Sequence, residues 1–155
     1  MSDFPPAWAH EIINQATKSK FKNGVLESLF IGEDSGVDYY RSIDGAHMHE
    51  RAAVMFAMST LDKVTYREHL QVVRPPSLDA LIVDVGGGDG RNALPWLEWG
   101  YRRVVVVDPI ASGLRRFRAR VAEQNSQWLH NLFLVEADAR ALPLISGCAT
   151  LVQAI

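Results

Sequence analysis

The sequence predicts an α/β fold, with a parallel β-sheet in the second half of the chain and helices before it. After Pro75-Pro76, short apolar runs alternate with segments of helical periodicity, a pattern typical of parallel strands joined by right-handed crossovers. One run, residues 104–107, consists of four valines, as expected of a strand that is buried on both faces. The 155 residues suffice for one domain with a real core.

The residues before the two prolines are predicted to be helical. Proline pairs do not fit inside a helix, so we place a boundary near residue 75. Residues 1–75 are interpreted as an N-terminal helical cap and residues 76–155 as an α/β part, together forming one structural domain. Apolar residues recur at helical spacing in the first part. Three helices are expected there, at residues 7–18, at residues 47–61 and as a short helix running through residues 70–73.

The α/β part is predicted to contain four strands and two helices. The expected strands are residues 81–85, 104–107, 132–135 and 149–155, and the expected helices are residues 91–99 and 111–125. The longer helix is amphipathic, with Leu114, Phe117 and Val121 facing inward. Four arginines of that helix are expected largely on its solvated face. They are Arg115, Arg116, Arg118 and Arg120.

Composition and charge exclude several classes of protein. The net charge of -2 does not indicate a nucleic-acid partner, and we interpret the local arginine cluster as a solvated helix face. Cys148 is the single cysteine, so no internal disulfide or thiolate metal cluster is expected. His47 and His49 are two apart on a predicted helix and point in different directions, so no metal site is expected. The N-terminus does not resemble a signal peptide, and no apolar stretch reaches about 20 residues, so we expect a cytoplasmic protein.

The segment from Asp84 to Gly90 contains four glycines between a predicted strand and a predicted helix. Such glycines let the backbone turn sharply and let a ligand approach the main chain. The dinucleotide fingerprint fits if it is placed on Gly88, Gly90 and Ala93, with an acidic residue about 20 positions further along the chain. The glycines alone therefore leave two classes of ligand open.

The charges of the loop favour one of these classes. A pyrophosphate here would face Asp84 and Asp89, and each such pair costs about 3 kcal/mol at about 6 Å and an effective dielectric constant of about 20. A sulfonium ligand that also carries an α-ammonium group makes both carboxylates favourable. Arg91 weakens the argument slightly, because it can serve a phosphate or a ligand carboxylate. The loop therefore favours a cationic ligand, and a fragment of an oxidoreductase that binds a nicotinamide dinucleotide is the alternative.

The glycine loop resembles the first motif of the class I S-adenosylmethionine-dependent methyltransferases. The similar positions are Asp84, Gly86, Gly88 and Gly90. The resemblance covers about half of the chain, from Leu81 to its end, and implies a Rossmann-like fold that binds S-adenosylmethionine. In that family the first motif holds the methionine end of the donor.

Two further acidic positions extend the resemblance. Asp108 follows the second predicted strand, where the family places an acidic residue on the ribose hydroxyls. Asp138 and Ala139 follow the third, where the family reads the adenine edge with an Asp side chain and the next backbone N–H. Each aspartate also has a local role open to it, as a cap or turn residue. Their order at the ends of three successive strands indicates a ligand site, because ligands bind at that edge of open parallel sheets.

The resemblance also implies features that this sequence does not supply. The family's sheet has seven strands and about four are accounted for here, so we expect an apparently truncated parallel sheet whose last strand forms an open edge. A homo-oligomer or a partner chain is expected at that edge. Tyr39 and Tyr40 are candidates for contacting the donor from the N-terminal cap. The acceptor is expected to be a small molecule, no catalytic residue is assigned, and a non-catalytic half-domain is the third alternative.

Overall fold

The computed structural model describes residues 5–28 and 67–154. These residues form six strands and two α-helices, and residues 67–72 are also helical. The strands are β1 (Ser19–Lys22), β2 (Val25–Ser28), β3 (Leu81–Val85), β4 (Arg103–Asp108), β5 (Leu132–Glu136) and β6 (Leu151–Ala154), the α-helices are α1 (Leu94–Glu98) and α2 (Ala111–Asn125), and two 3-10 helices span Ala7–Glu11 and Ser126–His130. The predictions for residues 47–61 and for Tyr39 and Tyr40 lie outside the described residues.

The described strands form one sheet in the order β1-β2-β5-β4-β3-β6. All neighbouring pairs are parallel except β1 and β2, which form an antiparallel hairpin. The four strands expected from the sequence are therefore confirmed, in a mostly parallel α/β sheet. Because β2 runs parallel to β5, its carboxyl end lies at the same edge as those of β3, β4 and β5.

Side chains on the two faces of the sheet enter two separate hydrophobic clusters. Ile82, Val104 and Val106 face one cluster, which also contains buried residues of α1 and α2. Val83 and Val105, their neighbours along the strands, face the other cluster, which includes residues near the N-terminus. The valines of β4 are at most 1% exposed, so the valine run is buried on both faces as predicted.

The prediction that the N-terminal part is helical is wrong at residues 19–28, which form the β1–β2 hairpin. Asn23 and Gly24 make the turn, with φ values of 51° and 79°. Positive φ at both central residues is the geometry of a tight hairpin turn whose twist matches that of the flanking strands, and Asn-Gly is the dipeptide that favours it. The hairpin adds two strands beside β5, where no strand was expected.

The helix predicted over residues 7–18 is also wrong in length, because only the 3-10 helix Ala7–Glu11 forms. Ile13 makes an isolated antiparallel bridge to Leu144, and the Asn14 side chain accepts the backbone N–H of Ala16 at 3.0 Å. Such local bonds from asparagine compete with a helix. The division of the chain near residue 75 stays a prediction.

The helices of the α/β part agree with the prediction in place, and α2 agrees in both of its bounds. The first helix is shorter than expected, because turns occupy the residues after Gly90 and α1 begins at Leu94, with Pro95 in its first turn. Proline is tolerated there since its missing N–H would have no partner in the helix. The described helices include none that is long and apolar enough to cross a membrane.

The buried side-chain amide of Gln153 links β6 to α1 by a hydrogen bond. Gln153 of β6 is 8% exposed; its Oε1 accepts the indole N–H of Trp96 at 3.0 Å, and its Nε2 donates to the carbonyl of Asn92 at 3.1 Å. Both ends of the amide are therefore engaged. In the sheet register Gln153 lies opposite Asp84, so this bridge also borders the glycine loop.

Candidate functional site

The carboxyl ends of β3, β4 and β5 bring the three predicted aspartates to one edge of the sheet. Asp84 is the fourth residue of β3, Asp108 ends β4, and Asp138 lies two residues after β5. Parallel strands in register place these ends side by side, with Asp108 opposite Glu136. The order of the aspartates along the chain therefore becomes an order across the sheet.

A cleft of ≈ 320 Å³ opens at this edge. Its wall comes from the loop after β3, the end of β4 and the segment after β5. The lining residues are Val85, Gly86, Val107, Pro109, Ala137, Asp138, Ala139 and Arg140. The cleft therefore joins the glycine loop to the predicted adenine-reading pair, with a mostly apolar floor between them.

The glycine loop combines open space on one side with close packing on the other. Gly86 and Gly88 have φ values of 75° and 53°, and a Cβ added to either would meet no atom within 4 Å. Gly87 differs, since its Cβ would lie 2.4 Å from Val106 and 2.7 Å from an oxygen of Asp84. A ligand can therefore approach the backbone at Gly86 and Gly88, whereas Gly87 is glycine because the loop rests on the Asp84 carboxylate.

Gly90 has a third role, although the sequence pattern grouped it with the ligand-binding glycines. Its added Cβ would lie 2.2 Å from the ring of Phe117 on α2. The structure thus places Gly90 against the helix rather than at the cleft. Its participation in ligand binding stays a prediction.

Asp84 is buried with only partial compensation from the described residues. Its exposure is 1%, and neither carboxylate oxygen has a hydrogen-bond partner in this part of the chain. Burial raises the pKa of Asp84 from 3.8 to about 7, the Gln153 side chain lowers it, and the Asp108 carboxylate raises it. Because Gln153 uses its amide on Trp96 and Asn92, it relieves the buried charge only in part.

Asp108 is held by backbone donors from two directions. One oxygen accepts the N–H of Gly88 at 2.9 Å, and the other accepts that of Ile110 at 2.8 Å. Burial raises the pKa of Asp108, and these two backbone hydrogen bonds oppose the rise. The side chain therefore ties the glycine loop to the start of α2 and fixes its own orientation at the edge of the sheet.

The second carboxylate of the loop is not available as the sequence argument assumed. Asp89 lies 3.7 Å from the guanidinium of Arg120 on α2, and Arg120 also donates to the Asp89 carbonyl at 3.1 Å. The charge of Asp89 is therefore partly balanced within the protein. The electrostatic case for a cationic ligand rests mainly on Asp84.

The carboxylate of Asp138 forms an ion pair with Arg140. It accepts the backbone N–H and the Nε of Arg140 at 2.9 Å each, and a terminal guanidinium nitrogen of Arg140 lies 2.5 Å from its other oxygen. Asp138 thus makes the local turn contact considered as its alternative role, and it also lines the cleft. These two observations are compatible, since a carboxylate has several acceptor positions.

Two arginines of the α2 cluster make ion pairs with acidic residues of β2 and of the glycine loop. Arg115 pairs with Glu27 of β2 at 2.5 Å, and Arg120 pairs with Asp89. Arg102 and Arg103 also have acidic partners, Asp79 at 3.1 Å and Glu11 at 3.7 Å. Within residues 5–28 and 67–154, no three histidine, cysteine or acidic side chains converge on a metal-sized space.

Residues 82–155 match the family model described as "Methyltransferase domain". This part of the chain is similar to that family. The match begins in β3 and includes the glycine loop, Asp108 and the segment after β5. A comparison of the chain with functionally curated proteins finds no significant match.

Solved structures similar to this chain include several of the glycopeptide N-methyltransferase MtfA. Its complex with S-adenosyl-L-methionine is 28% identical, with a TM-score of 0.43, and the match covers 50% of this chain and 33% of that one. Its complex with S-adenosyl-L-homocysteine gives the same identity and TM-score, covering 50% and 32%. A further structure of MtfA is 28% identical, with a TM-score of 0.44, covering 51% and 33%. The chain therefore spans about a third of the length of these structures.

The sequence analysis did not identify three residues that contribute to the site. Gly87 falls between the patterned glycines, Gln153 looks like a polar residue in an edge strand, and Arg140 looks like a surface residue of a turn. Of these, only Gly87 carried a signal, as an additional glycine inside the motif. Gln153 acts through hydrogen bonds to residues 57 and 61 positions away, which a local pattern does not contain. Arg140 pairs with Asp138 only two positions away, but nothing in the motif marks that pairing.

We expect Asp84→Asn to stabilise the unliganded domain, by an amount that grows as the pH rises from about 4 to 7. The native carboxyl group, with its pKa raised to about 7, keeps a proton that the unfolded chain loses near 3.8, so stability is lost across this window. The loss approaches about 1.4 kcal/mol per pH unit and at most about 4 kcal/mol in total. Urea denaturation at pH 5 and pH 8 measures the gain in each case.

Asp79→Asn is the matched control, because the Asp79 side chain is 62% exposed. We expect it to change the free energy of unfolding by less than about 0.5 kcal/mol at either pH. An equal gain for Asp84→Asn at pH 5 and pH 8 would contradict a buried titrating carboxylate.

Proposed function

We propose that this methyltransferase domain binds S-adenosylmethionine along the carboxyl ends of β3, β4 and β5 and transfers its methyl group to a small-molecule acceptor. The buried carboxylate of Asp84 is the observation that carries the proposal. It borders a loop whose Gly86 and Gly88 leave open space for a ligand. A ligand with an ammonium and a sulfonium group supplies the positive charge that the described residues do not.

The same carboxylate counts against the dinucleotide alternative. A pyrophosphate at the loop would add negative charge beside Asp84, whose pKa the Asp108 carboxylate already raises. No described cation pairs with Asp84 to offset this. A dinucleotide would therefore bind against the electrostatics of the loop, whereas a sulfonium ligand binds with it.

Other residues of the edge suit the remaining parts of the donor. Asp108 holds its carboxylate at the end of β4, where its acceptor oxygens can bond the ribose hydroxyls. Asp138 and Ala139 line the cleft beyond it, which suits an adenine ring lying on the apolar floor. The family resemblance assigns the same roles to these three residues. Contact of Tyr39 and Tyr40 with the donor and a cytoplasmic location both stay predictions.

The chemistry demanded of the protein is mainly binding and orientation. When bound, S-adenosylmethionine supplies a methyl group that its sulfonium has already activated. Asp84 balances positive charge, Asp108 and Asp138 fix the nucleoside, and the apolar floor excludes water from it. None of the described residues is assigned as a general base, and a base is needed only if the acceptor must lose a proton.

Direct binding measurements test the proposal. We expect calorimetry at pH 8 to show binding of S-adenosylmethionine and S-adenosylhomocysteine and no binding of NADH. Asp84→Asn and Asp108→Asn are each expected to weaken binding by about 10- to 100-fold, the cost of losing a hydrogen bond to a charged group. The acceptor can then be sought among small molecules by methyl transfer from labelled donor.

Asp79→Asn again serves as the control, since it lies in an exposed ion pair with Arg102 away from the cleft. Unchanged affinity in Asp84→Asn would remove the electrostatic argument. Binding of NADH alone would favour the oxidoreductase alternative, and binding of neither ligand would favour a non-catalytic half-domain.

We also expect binding of S-adenosylhomocysteine to release a proton at pH 6. With its pKa raised to about 7, Asp84 is mostly protonated at that pH, and an ammonium ligand favours the ionised form. Affinity should therefore fall by up to about tenfold per pH unit below 7. Calorimetry in two buffers of different ionisation enthalpy measures the protons released, with about one expected for the native chain and none for Asp84→Asn. Equal proton release by the two proteins would show that another group titrates.

A second proposal concerns the outer side of β6, which pairs with β3 and with no other described strand. Val152 of this strand is 62% exposed, and an unpaired strand edge is a template for another strand. We propose that a second copy of the chain associates here. Sedimentation at tens of micromolar should show dimers that Val152→Lys reduces, whereas Val72→Lys, on the exposed helical residues, should not. A monodisperse monomer would contradict this proposal.

A further inference from the structure

Asp138 and Arg140 form an ion pair at the cleft. Among the residues that line the cleft, Arg140 is the one cation and Asp138 is the one carboxylate. The Asp138 side chain is 7% exposed and that of Arg140 is 63% exposed. Arg140 contacts both carboxylate oxygens, Nε and the backbone N–H on one and a terminal nitrogen on the other. The arginine therefore reaches from solvent onto a carboxylate that faces the predicted purine subsite.

This arrangement fixes how the carboxylate presents its oxygens. A guanidinium donates through a planar fork, so contact with both oxygens aligns the two planes and restricts rotation of the carboxyl group. The backbone N–H of Arg140 restrains the same oxygen from a second direction. With donors on both oxygens, the group is held as a hydrogen-bond acceptor and not as a donor.

A purine offers one feature that such an acceptor can read. The 6-amino group of adenine donates hydrogen bonds, whereas the same position in an unsubstituted purine cannot. A carboxyl group free to turn or to take up a proton would distinguish the two rings less sharply. The selectivity of the cleft thus depends on what holds Asp138, and the described contacts identify Arg140.

We propose that Arg140 is a positioning residue which, by holding the Asp138 carboxylate, makes the cleft selective for a 6-aminopurine ring. This inference rests on the proposed function, because it concerns the adenine end of the same donor. Arg140 contributes to recognition through Asp138, so its loss should affect the amino group of the ligand more than the rest of it.

The test compares S-adenosylhomocysteine with its analogue that carries unsubstituted purine in place of adenine. We expect the native chain to prefer the amino-bearing ligand by about tenfold, the usual effect of one hydrogen bond to a charged group. Arg140→Met keeps much of the side chain's length and removes the fork; its preference should fall to about threefold or less, with the purine analogue bound nearly as before. Arg102→Met is the matched control, an exposed arginine in an ion pair away from the cleft, and should keep the native preference.

The unfolding midpoint of Arg140→Met should match that of the native chain, since the side chain is mostly exposed. An unchanged preference would overturn the inference, and so would an equal loss of affinity for both ligands, which would indicate a merely structural role. Tighter binding of both ligands would also overturn it, because Arg140 would then compete with the purine. If the native chain binds neither ligand, the proposed function fails as well; if it binds and selects as Arg140→Met does, only this inference fails.

Discussion

The carboxylate of Asp84 lies buried near the end of β3, and the elements that form the site are arranged around it. The glycine loop rests on one of its oxygens at Gly87, Gln153 lies opposite it on β6, and Asp108 follows on the neighbouring strand. A charged group so placed is costly unless something compensates it. Here the described residues supply only part of that compensation, so a cation bound beside the loop would stabilise the ionised carboxylate.

The parallel sheet determines which groups can share this environment. Crossover connections return β3, β4, β5 and β6 to the same direction, so the residues that follow β3, β4 and β5 meet at one edge, while the valines of β4 are buried on both faces. The acidic residues Asp84 and Asp108 thereby lie near the carboxyl ends of their strands. The β1–β2 hairpin extends this edge, because β2 runs parallel to β5 and places Glu27 opposite Glu136. The acidic edge is therefore wider than the three aspartates alone.

Much of this could be predicted from the sequence, and the differences have particular causes. The crossover helix α2 and the valine strand have strong periodicity, so their positions were predicted closely. The hairpin was missed although Asn23-Gly24 is a strong turn signal, because its strands are only four residues long and have few apolar residues. The Asp89–Arg120 ion pair could not be predicted, since it depends on how α2 packs over the loop. Patterns along the chain thus located the backbone and its acidic positions, but not the partners that set their charge.

The three aspartates of the edge show why those partners matter. Asp108 is restrained by backbone donors, Asp138 by the side chain of Arg140, and Asp84 has neither among the described residues. Residues that look equivalent in a motif therefore differ in what they can do. The two restrained carboxylates are oriented in advance, which suits the recognition of neutral hydroxyl and amino groups by geometry. Asp84 lacks such restraint and carries a cost of burial, which suits a group whose task is to balance a charge. At a pH above about 7, where Asp84 is ionised, a cationic ligand would recover the free energy lost by burying its carboxylate, so the same carboxylate that weakens the unliganded domain would favour such a ligand.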